Sequence, residues 1–482
     1  FVVGADLRPG TDLATLSGTL DAQIAAYMQN GPTTDELQRA ATHFATAQIR
    51  ALESVGGFEG KASTLAEGLL YAGDPEHYRK TLEAAAKLTP EQVRDATRRW
   101  LSRPAFSLTI EPGTRTEGGE NRGAFLTEPL QGADRPSPAH YIDPADADGP
   151  LQAGAAAGVD RSKLPPVDAL QPLDFPAIER TTLSNGMKVA FASRSGVPVV
   201  SVRVSFDAGH AADPKSAPGT QALLLKLMNE GTEKLDSSAL ARARERLGAQ
   251  INASADMDTT SFQLDALTPN LAPSLALLSD YIRRPALSAS ELERVRAQQL
   301  AAISAELNEP RAIAQRVLIP LLYGANHPYG IAPSGLGSKA AVERVSQADL
   351  TAFHRGWFRP ERATILVVGD TSLAEVTRLL EASFGDWRAL SEPLAIKDYS
   401  APIPAQTSRI ILVDRPASPQ SMIYVGKVLN AKGTDDLVRL NTANDILGGN
   451  FLSRINMNLR EDKGWSYGVR SGVSQPLNQV AF

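Results

Sequence analysis

Residues 179–210, ERTTLSNGMKVAFASRSGVPVVSVRVSFDAGH, carry the strongest local fold signal in the chain. Glu179 to Phe191 reads as two strands joined at Asn185-Gly186. Both of those residues tolerate positive φ, so the pair predicts a tight hairpin turn. Val199 to Phe206 follows as a further strand. Beyond it the pattern changes to helices near Gly219–Met228, Ser237–Leu247 and Ser288–Leu307. The run Ala363 to Val368 then predicts a buried strand that ends at Gly369-Asp370.

Upstream, the apolar run Phe1-Val2-Val3-Gly4-Ala5 predicts a strand, and the residues after it read as mostly helical. Thr33-Thr34-Asp35-Glu36 and Thr89-Pro90-Glu91 are helix-start signals, each with a capping hydroxyl ahead of acidic first-turn residues. Phe106 to Ile110 alternates with period two and predicts another strand. From Glu111 to about Pro172 the sequence turns rich in Gly, Pro, Asp and Ala, which predicts an interdomain linker. Downstream, Arg409 to Val413 predicts the first strand of a further domain. The resulting division is 1–111, a linker at 112–172, 173–395 and 396–482. A distant repeat links two of these blocks. Thr89 precedes Trp100 as Ser346 precedes Trp357, by 11 residues in each case, and a Pro and an apolar run follow both. Trp100 and Trp357 are accordingly expected as core anchors.

Composition limits the chemistry. The 482 residues hold 49 basic and 54 acidic side chains, for a formal net charge of -5 and a pI near 5.8. That balance, without any Lys/Arg-rich run, argues against nucleic acid or an anionic membrane as the main partner. No apolar stretch is long enough to span a bilayer. Cysteine is absent, which removes disulfides, thiol catalysis and thiolate metal sites, and fits an oxidising compartment such as a periplasm. The histidines, His43, His77, His140, His210, His327 and His354, include no pair three or four residues apart. No helix therefore presents two imidazoles on one face, and a surface or structural role is expected for each. The serine-hydrolase elbow, the P-loop and the dinucleotide-binding glycine run are also absent.

Several motifs, in order, resemble the insulinase/pitrilysin-type zinc peptidases of family M16. They are Asp207-Ala208-Gly209-His210-Ala211 through Pro218 to Thr232; Leu321-Leu322-Tyr323 through His327-Pro328-Tyr329-Gly330; and Trp357-Phe358-Arg359-Pro360 through Val368-Gly369-Asp370. To these is added Ile446-Leu447-Gly448-Gly449-Asn450, with Leu459-Arg460-Glu461 through Tyr467. The resemblance implies an α+β fold of repeated α/β sandwich domains, each a mixed sheet packed against helices, in two pseudo-symmetric halves. It further implies peptidase activity on peptides or small unfolded polypeptides held in a chamber, with zinc as cofactor and the zinc-bearing half as partner.

This sequence departs from the family at its metal. Active halves carry a His-x-x-Glu-His helix, in which two imidazoles hold zinc and the glutamate is the general base. The three positions here are Ala222, Leu225 and Lys226. Alanine and leucine offer no lone pair, and an ammonium repels a dication. Glu306 falls where a distal zinc ligand would, and without imidazole partners it is expected to be a solvated helix carboxylate. The resemblance therefore casts residues 173–482 as an inactive half and residues 1–111 as the end of a zinc-bearing one whose metal helix lies upstream of Phe1. In such fused proteins the inactive half lends an Arg and a Tyr, seven residues apart, to the active site, and Arg460 and Tyr467 match that pair. The residues themselves predict Arg460 on a last helical turn before Gly464, and Tyr467 on a strand from Trp465 to Val469. Gly448-Gly449 is expected to serve close backbone approach at a helix end. The other reading is a non-peptidase scaffold that binds polypeptide.

Overall fold

The computed structural model describes residues 2–7, 10–58, 60–103, 105–110, 175–405, 407–416, 418 and 420–482. They divide into two compact units, one comprising residues 1–98 with 176–482 and the other residues 99–175. The expected linker at 112–172 lies outside the described residues.

The chain opens with helices α1 (Leu13–Asn30), α2 (Thr34–Ala51), α3 (Lys61–Ala72), α4 (His77–Ala86) and α5 (Pro90–Leu101), whose last residues, from Arg99, belong to the second unit. Helix α2 starts where its sequence says it should. The Thr33 hydroxyl accepts from the Glu36 N–H (3.2 Å), and the Glu36 carboxylate accepts from the Thr33 N–H (2.7 Å), forming a capping box. Arg98 on α5 closes α1 by donating to the carbonyls of Met28 (2.6 Å) and Gln29 (2.8 Å). The expected strand at 1–5 does not form over its described residues: 2–7 carry no regular secondary structure.

A six-stranded sheet follows, made of β1 (Ile178–Thr182), β2 (Lys188–Ser193), β3 (Val199–Phe206), β4 (Gln250–Ala255), β5 (Thr260–Leu267) and β6 (Ala363–Gly369) in the order β1-β2-β6-β3-β5-β4. Strands β1 and β2 form the expected antiparallel hairpin, with Gly186 at φ 91° in its turn. Strand β6 inserts between β2, which it pairs in parallel, and β3, which it pairs antiparallel. The sheet is mixed, and β6 is buried on one face only: Leu366 and Val368 point to the exposed side.

Helices α6 (Thr220–Met228), α7 (Ser237–Leu247), α8 (Leu271–Arg283), α9 (Ala289–Glu306), α10 (Pro310–Tyr323), α11 (Lys339–Val342), α12 (Gln347–Trp357) and α13 (Leu373–Phe384) complete this block. The core lies between the sheet's buried face and these helices. It includes Val202, Val204, Leu264 and Ile365 from the strands and Leu223, Leu224, Leu278 and Leu380 from the helices. Phe206, Phe262, Tyr281 and Phe358 meet in its middle with ring centroids 5.2–5.9 Å apart. The N-terminal helices dock on the block through charge. Arg39 and Asp35 of α2 pair with Glu245 and Arg246 of α7, and Arg50 pairs with Asp265 (3.0 Å).

Two further expectations about strands fail. Residues 106–110 and 409–413 form no strand, with Ile410 and Leu412 99% and 91% exposed. An alternating pattern describes a strand that has a neighbour; with no ladder beside it, it fixes nothing. The tryptophans of the repeat differ for the same reason. Trp357 is buried in the sheet block, whereas Trp100 is 57% exposed and lies between the guanidinium groups of Arg99 and Arg103.

Residues 427–482 form short helices α14 (Val438–Asn444) and α15 (Arg454–Asn456), each continued by a π-helical turn, Asp445–Gly449 and Met457–Asp462. The chain's last residues pair back across Lys427–Ala431. The Leu429 N–H donates to Val480 O (2.9 Å), and the Val480 N–H donates to Ala431 O (2.8 Å).

Candidate functional site

Helix α6 carries the first group of candidates. Its start is built by Asp213, whose buried carboxylate accepts from the N–H groups of Gly219 (2.6 Å) and Gln221 (2.8 Å). These are orphan donors of the helix N-terminus, and a carboxylate satisfies both while facing the positive end of the dipole. Gly219 has φ 99°, and a Cβ there would meet Leu336 O at 2.5 Å, so glycine is required at this crossing. The Gln221 side chain joins a buried polar network, reaching His210 Nδ1 (2.8 Å), Ala208 O and the Thr260 hydroxyl. Burial lowers the pKa of His210, so the imidazole is held neutral.

The face of α6 made by Leu223, Leu224, Leu227 and Met228 packs into the core. Ala222 is half-buried, Leu225 is buried among apolar neighbours, and Lys226 stands half-buried on the last turn. Its ammonium faces the favourable end of the helix dipole, burial lowers its pKa, and it has no hydrogen-bond or ion-pair partner among the described residues.

Glu306 differs from the expectation. It is not a solvated carboxylate: Arg316 on α10 binds it through Nε (2.8 Å) and Nη2, with both side chains about four-fifths buried. Arg316 Nη1 also donates to Gly337 O (2.8 Å). A Cβ on Gly337 would run into Pro218 O, so this ion pair abuts the segment that leads into α6. The guanidinium matches the carboxylate's charge with paired N–H donors. Alanine, leucine, an ammonium and a carboxylate already paired with arginine do not fit zinc. Among the described residues no group of three or more His, Asp or Glu side chains is placed to hold a metal ion.

The remaining histidines serve structure or surface. His354 Nε2 lies 2.7 Å from Ile282 O, and burial lowers its pKa. His327 is buried, stacks on Tyr323 and accepts the Tyr329 N–H at Nδ1 (3.1 Å). His43 and His77 are exposed, and His140 lies outside the described residues.

Arg460 and Tyr467 come together, by a different local structure from the one expected. Arg460 lies in the π-helical turn, and the Gly464 N–H closes that turn on Arg460 O (3.1 Å), with Gly464 at φ 61°. Residues 465–469 form no strand. They bend at Tyr467, with the Ser466 hydroxyl bonded to the Gly468 backbone, and are pinned by the Val469 N–H donating to Asn456 Oδ1 (3.0 Å). The Arg460 guanidinium sits 4.6 Å from the Phe451 ring and 5.2 Å from the Tyr467 ring, with Nε 3.3 Å from Glu461. Tyr467 is 92% exposed, so its hydroxyl is free to meet a ligand. Phe451, which completes the stack, escaped the sequence reading; its position just after Gly448-Gly449-Asn450 was the available signal. A Cβ on Gly448 would meet the Ser471 side chain, in keeping with a close-approach role.

Two family models match the chain: insulinase (peptidase family M16) over residues 188–326, and the peptidase M16 inactive domain over residues 344–482. A crystal structure of a peptidase M16 inactive domain from Pseudomonas fluorescens is 25% identical, with a TM-score of 0.52 over 63% of this chain and 73% of that one. An uncharacterized zinc protease of Mycobacterium bovis is 25% identical over 314 residues, 65% of this chain and 69% of its own length. A protein of Helicobacter pylori described as a non-peptidase homolog is 23% identical over 285 residues, 58% of this chain and 63% of its own. Together the two models span more than half of the chain and place it in peptidase family M16.

Proposed function

We propose that this chain provides the non-catalytic half of an M16 metallopeptidase that hydrolyses peptides or small unfolded polypeptides. The carrying observation is that α6 keeps its fold and packing while its three motif positions hold Ala222, Leu225 and Lys226. A helix kept without its ligands serves packing and chamber shape. In this reading zinc belongs to a partner half outside these residues, and this chain contributes Arg460 and Tyr467. The guanidinium binds a substrate carbonyl, and the phenol donates to the oxyanion that develops on it. Stacking on Phe451 holds the guanidinium plane in place before substrate arrives, which lowers the cost of ordering it. The absence of cysteine fits a periplasmic or secreted setting, and no described helix is long and apolar enough to cross a membrane.

The second reading, a polypeptide-binding scaffold without peptidase activity, is favoured by the likeness to the non-peptidase homolog. Two measurements separate the readings. The 482-residue chain should contain no stoichiometric zinc and cleave no peptide; one tightly held zinc per chain would overturn the assignment of α6. In the full-length protein, Arg460→Ala should lower peptide turnover about 100-fold and Tyr467→Phe about tenfold, with zinc content unchanged. Normal turnover in both variants would remove the active-site role of the pair, and a natural full-length protein that turns over no peptide would leave the scaffold.

A further inference from the structure

We infer that Asp258 and Tyr329 are positioning residues, a buried latch that fixes residues 427–482 on the sheet block and so sets where Arg460 and Tyr467 stand. Its consequence for catalysis depends on the function proposed above; the latch itself does not.

Asp258 lies in the turn between β4 and β5. That turn is rigid, because Asp256 Oδ1 accepts from the N–H groups of Asp258 and Thr259 (2.7 Å each). The Gly209, His210 and Ala211 N–H groups donate to the carbonyls of Asp258 (2.9 Å), Asp256 (2.8 Å) and Met257 (2.9 Å). Glycine is needed at 209, since a Cβ there would strike the Met257–Asp258 backbone. The Asp258 side chain is buried, and its carboxylate has three donors. Oδ1 accepts from the hydroxyls of Tyr329 (2.6 Å) and Tyr399 (3.3 Å), and Oδ2 accepts from the Leu477 N–H (2.7 Å). Tyr329, itself fully buried, accepts from the Asn478 N–H (3.0 Å) with the oxygen whose proton it gives to Asp258. The Tyr323 hydroxyl donates to Gln479 O (3.3 Å). Three consecutive residues of the C-terminal segment are thereby held by side chains from the sheet block.

From there hydrogen bonds spaced along the backbone, joined by short covalent stretches, lead toward the Arg460 stack. The Ser474 N–H donates to Ala481 O (2.8 Å), and the Ser471 N–H donates to Gly448 O (2.9 Å). Asn456 accepts the Val469 N–H (3.0 Å) and donates through Nδ2 to Phe451 O (2.7 Å), and the Phe451 ring carries Arg460. A buried carboxylate with three donors is costly to disturb, because removing it orphans groups that water does not reach. It is therefore a strong place to anchor one block on another. Contiguity alone does not establish coupling, so the test measures coupling directly.

Hydrogen exchange on the whole chain provides that measurement. In Tyr329→Phe, which keeps the ring and removes the hydroxyl, the Leu477 and Asn478 amides should exchange about tenfold faster or more. The increase should extend to the Ser471 and Val469 amides while the interior amides of β3 and β6 keep their rates. Asp258→Asn, close in shape and uncharged, should give the same pattern and serves if the first variant does not fold. Unchanged exchange at 477 and 478, or an increase confined to 477–479, overturns the latch. Turnover of the full-length variants separates this from the functional reading. Exchange that rises across 469–478 while kcat holds would leave the latch standing and remove the active-site role of Arg460 and Tyr467. Exchange that does not rise removes the latch whatever the turnover.

Discussion

Replacing Phe262 with alanine should destabilise the sheet block by about 3–5 kcal/mol, most of the margin that an ordinary domain possesses. Phe262 is fully buried on β5, with its ring against Phe206 (5.9 Å), Tyr281 (5.9 Å) and Phe358 (5.3 Å). Truncation removes the transfer term and leaves a cavity that three other rings, each fixed on a different element, cannot fill by relaxing. Phe262→Leu, which returns most of the volume, should cost about half as much. Denaturant unfolding followed by tryptophan emission suits the measurement, because Trp387 packs on Phe206 in the same cluster. A loss under about 1 kcal/mol would mean that the aromatic cluster does not carry the core. Helix α6 lies on this same core through Leu223, Leu224, Leu227 and Met228. The packing load of those four residues holds α6 in place whatever side chains occupy Ala222 and Lys226 on its other face.

What was legible in the sequence is what short-range physics decides. The β1–β2 hairpin followed from Asn185-Gly186, and α7 and α9 fall within a residue of the helices expected at Ser237–Leu247 and Ser288–Leu307. Hydrogen-bond partners far along the chain were not legible. Nothing local says that β6 inserts between β2 and β3, since that depends on a pairing across more than 150 residues. Nor does alternation at 106–110 or 409–413 reveal that no strand lies beside it. The candidate site divides in the same way. That Ala222, Leu225 and Lys226 offer zinc nothing is a property of their side chains. That Arg316 holds Glu306, that Phe451 carries Arg460, and that Asp258 grips Leu477 are tertiary facts without a motif.

Asp213 makes the start of α6 sensitive to pH, and the sign of the effect follows from its burial. Loss of hydration is the largest influence on its carboxyl and raises the pKa from 3.8 to about 7, against the opposing pull of the Gln221 and Gly219 N–H groups and of Lys215. The unfolded chain releases this proton near pH 4, and the folded chain keeps it until about pH 7. Between those values the folded state binds more protons, so stability falls as pH rises, by up to ~4 kcal/mol over the window. The contribution is fully present below pH 4 and gone once pH has passed 7. Buried His210 and His354 act in the opposite sense, since their lowered pKa values give stability above pH 6.5 that is lost on acidification. The comparison that isolates Asp213 is therefore the stability of Asp213→Asn minus that of the natural chain, measured by denaturant unfolding from pH 4 to pH 8. Both proteins share the histidines, so the difference should move in favour of the variant by several kcal/mol as pH rises, with its midpoint between pH 5 and 7. A difference that moves the other way would show that the two amide bonds and the helix dipole outweigh desolvation, making Asp213 an ordinary anionic cap. The distinction bears on function because α6 meets the Arg316–Glu306 pair through the segment at Gly337. A helix start that tightens on protonation would make the packing around Glu306 and Arg316 depend on the surrounding pH.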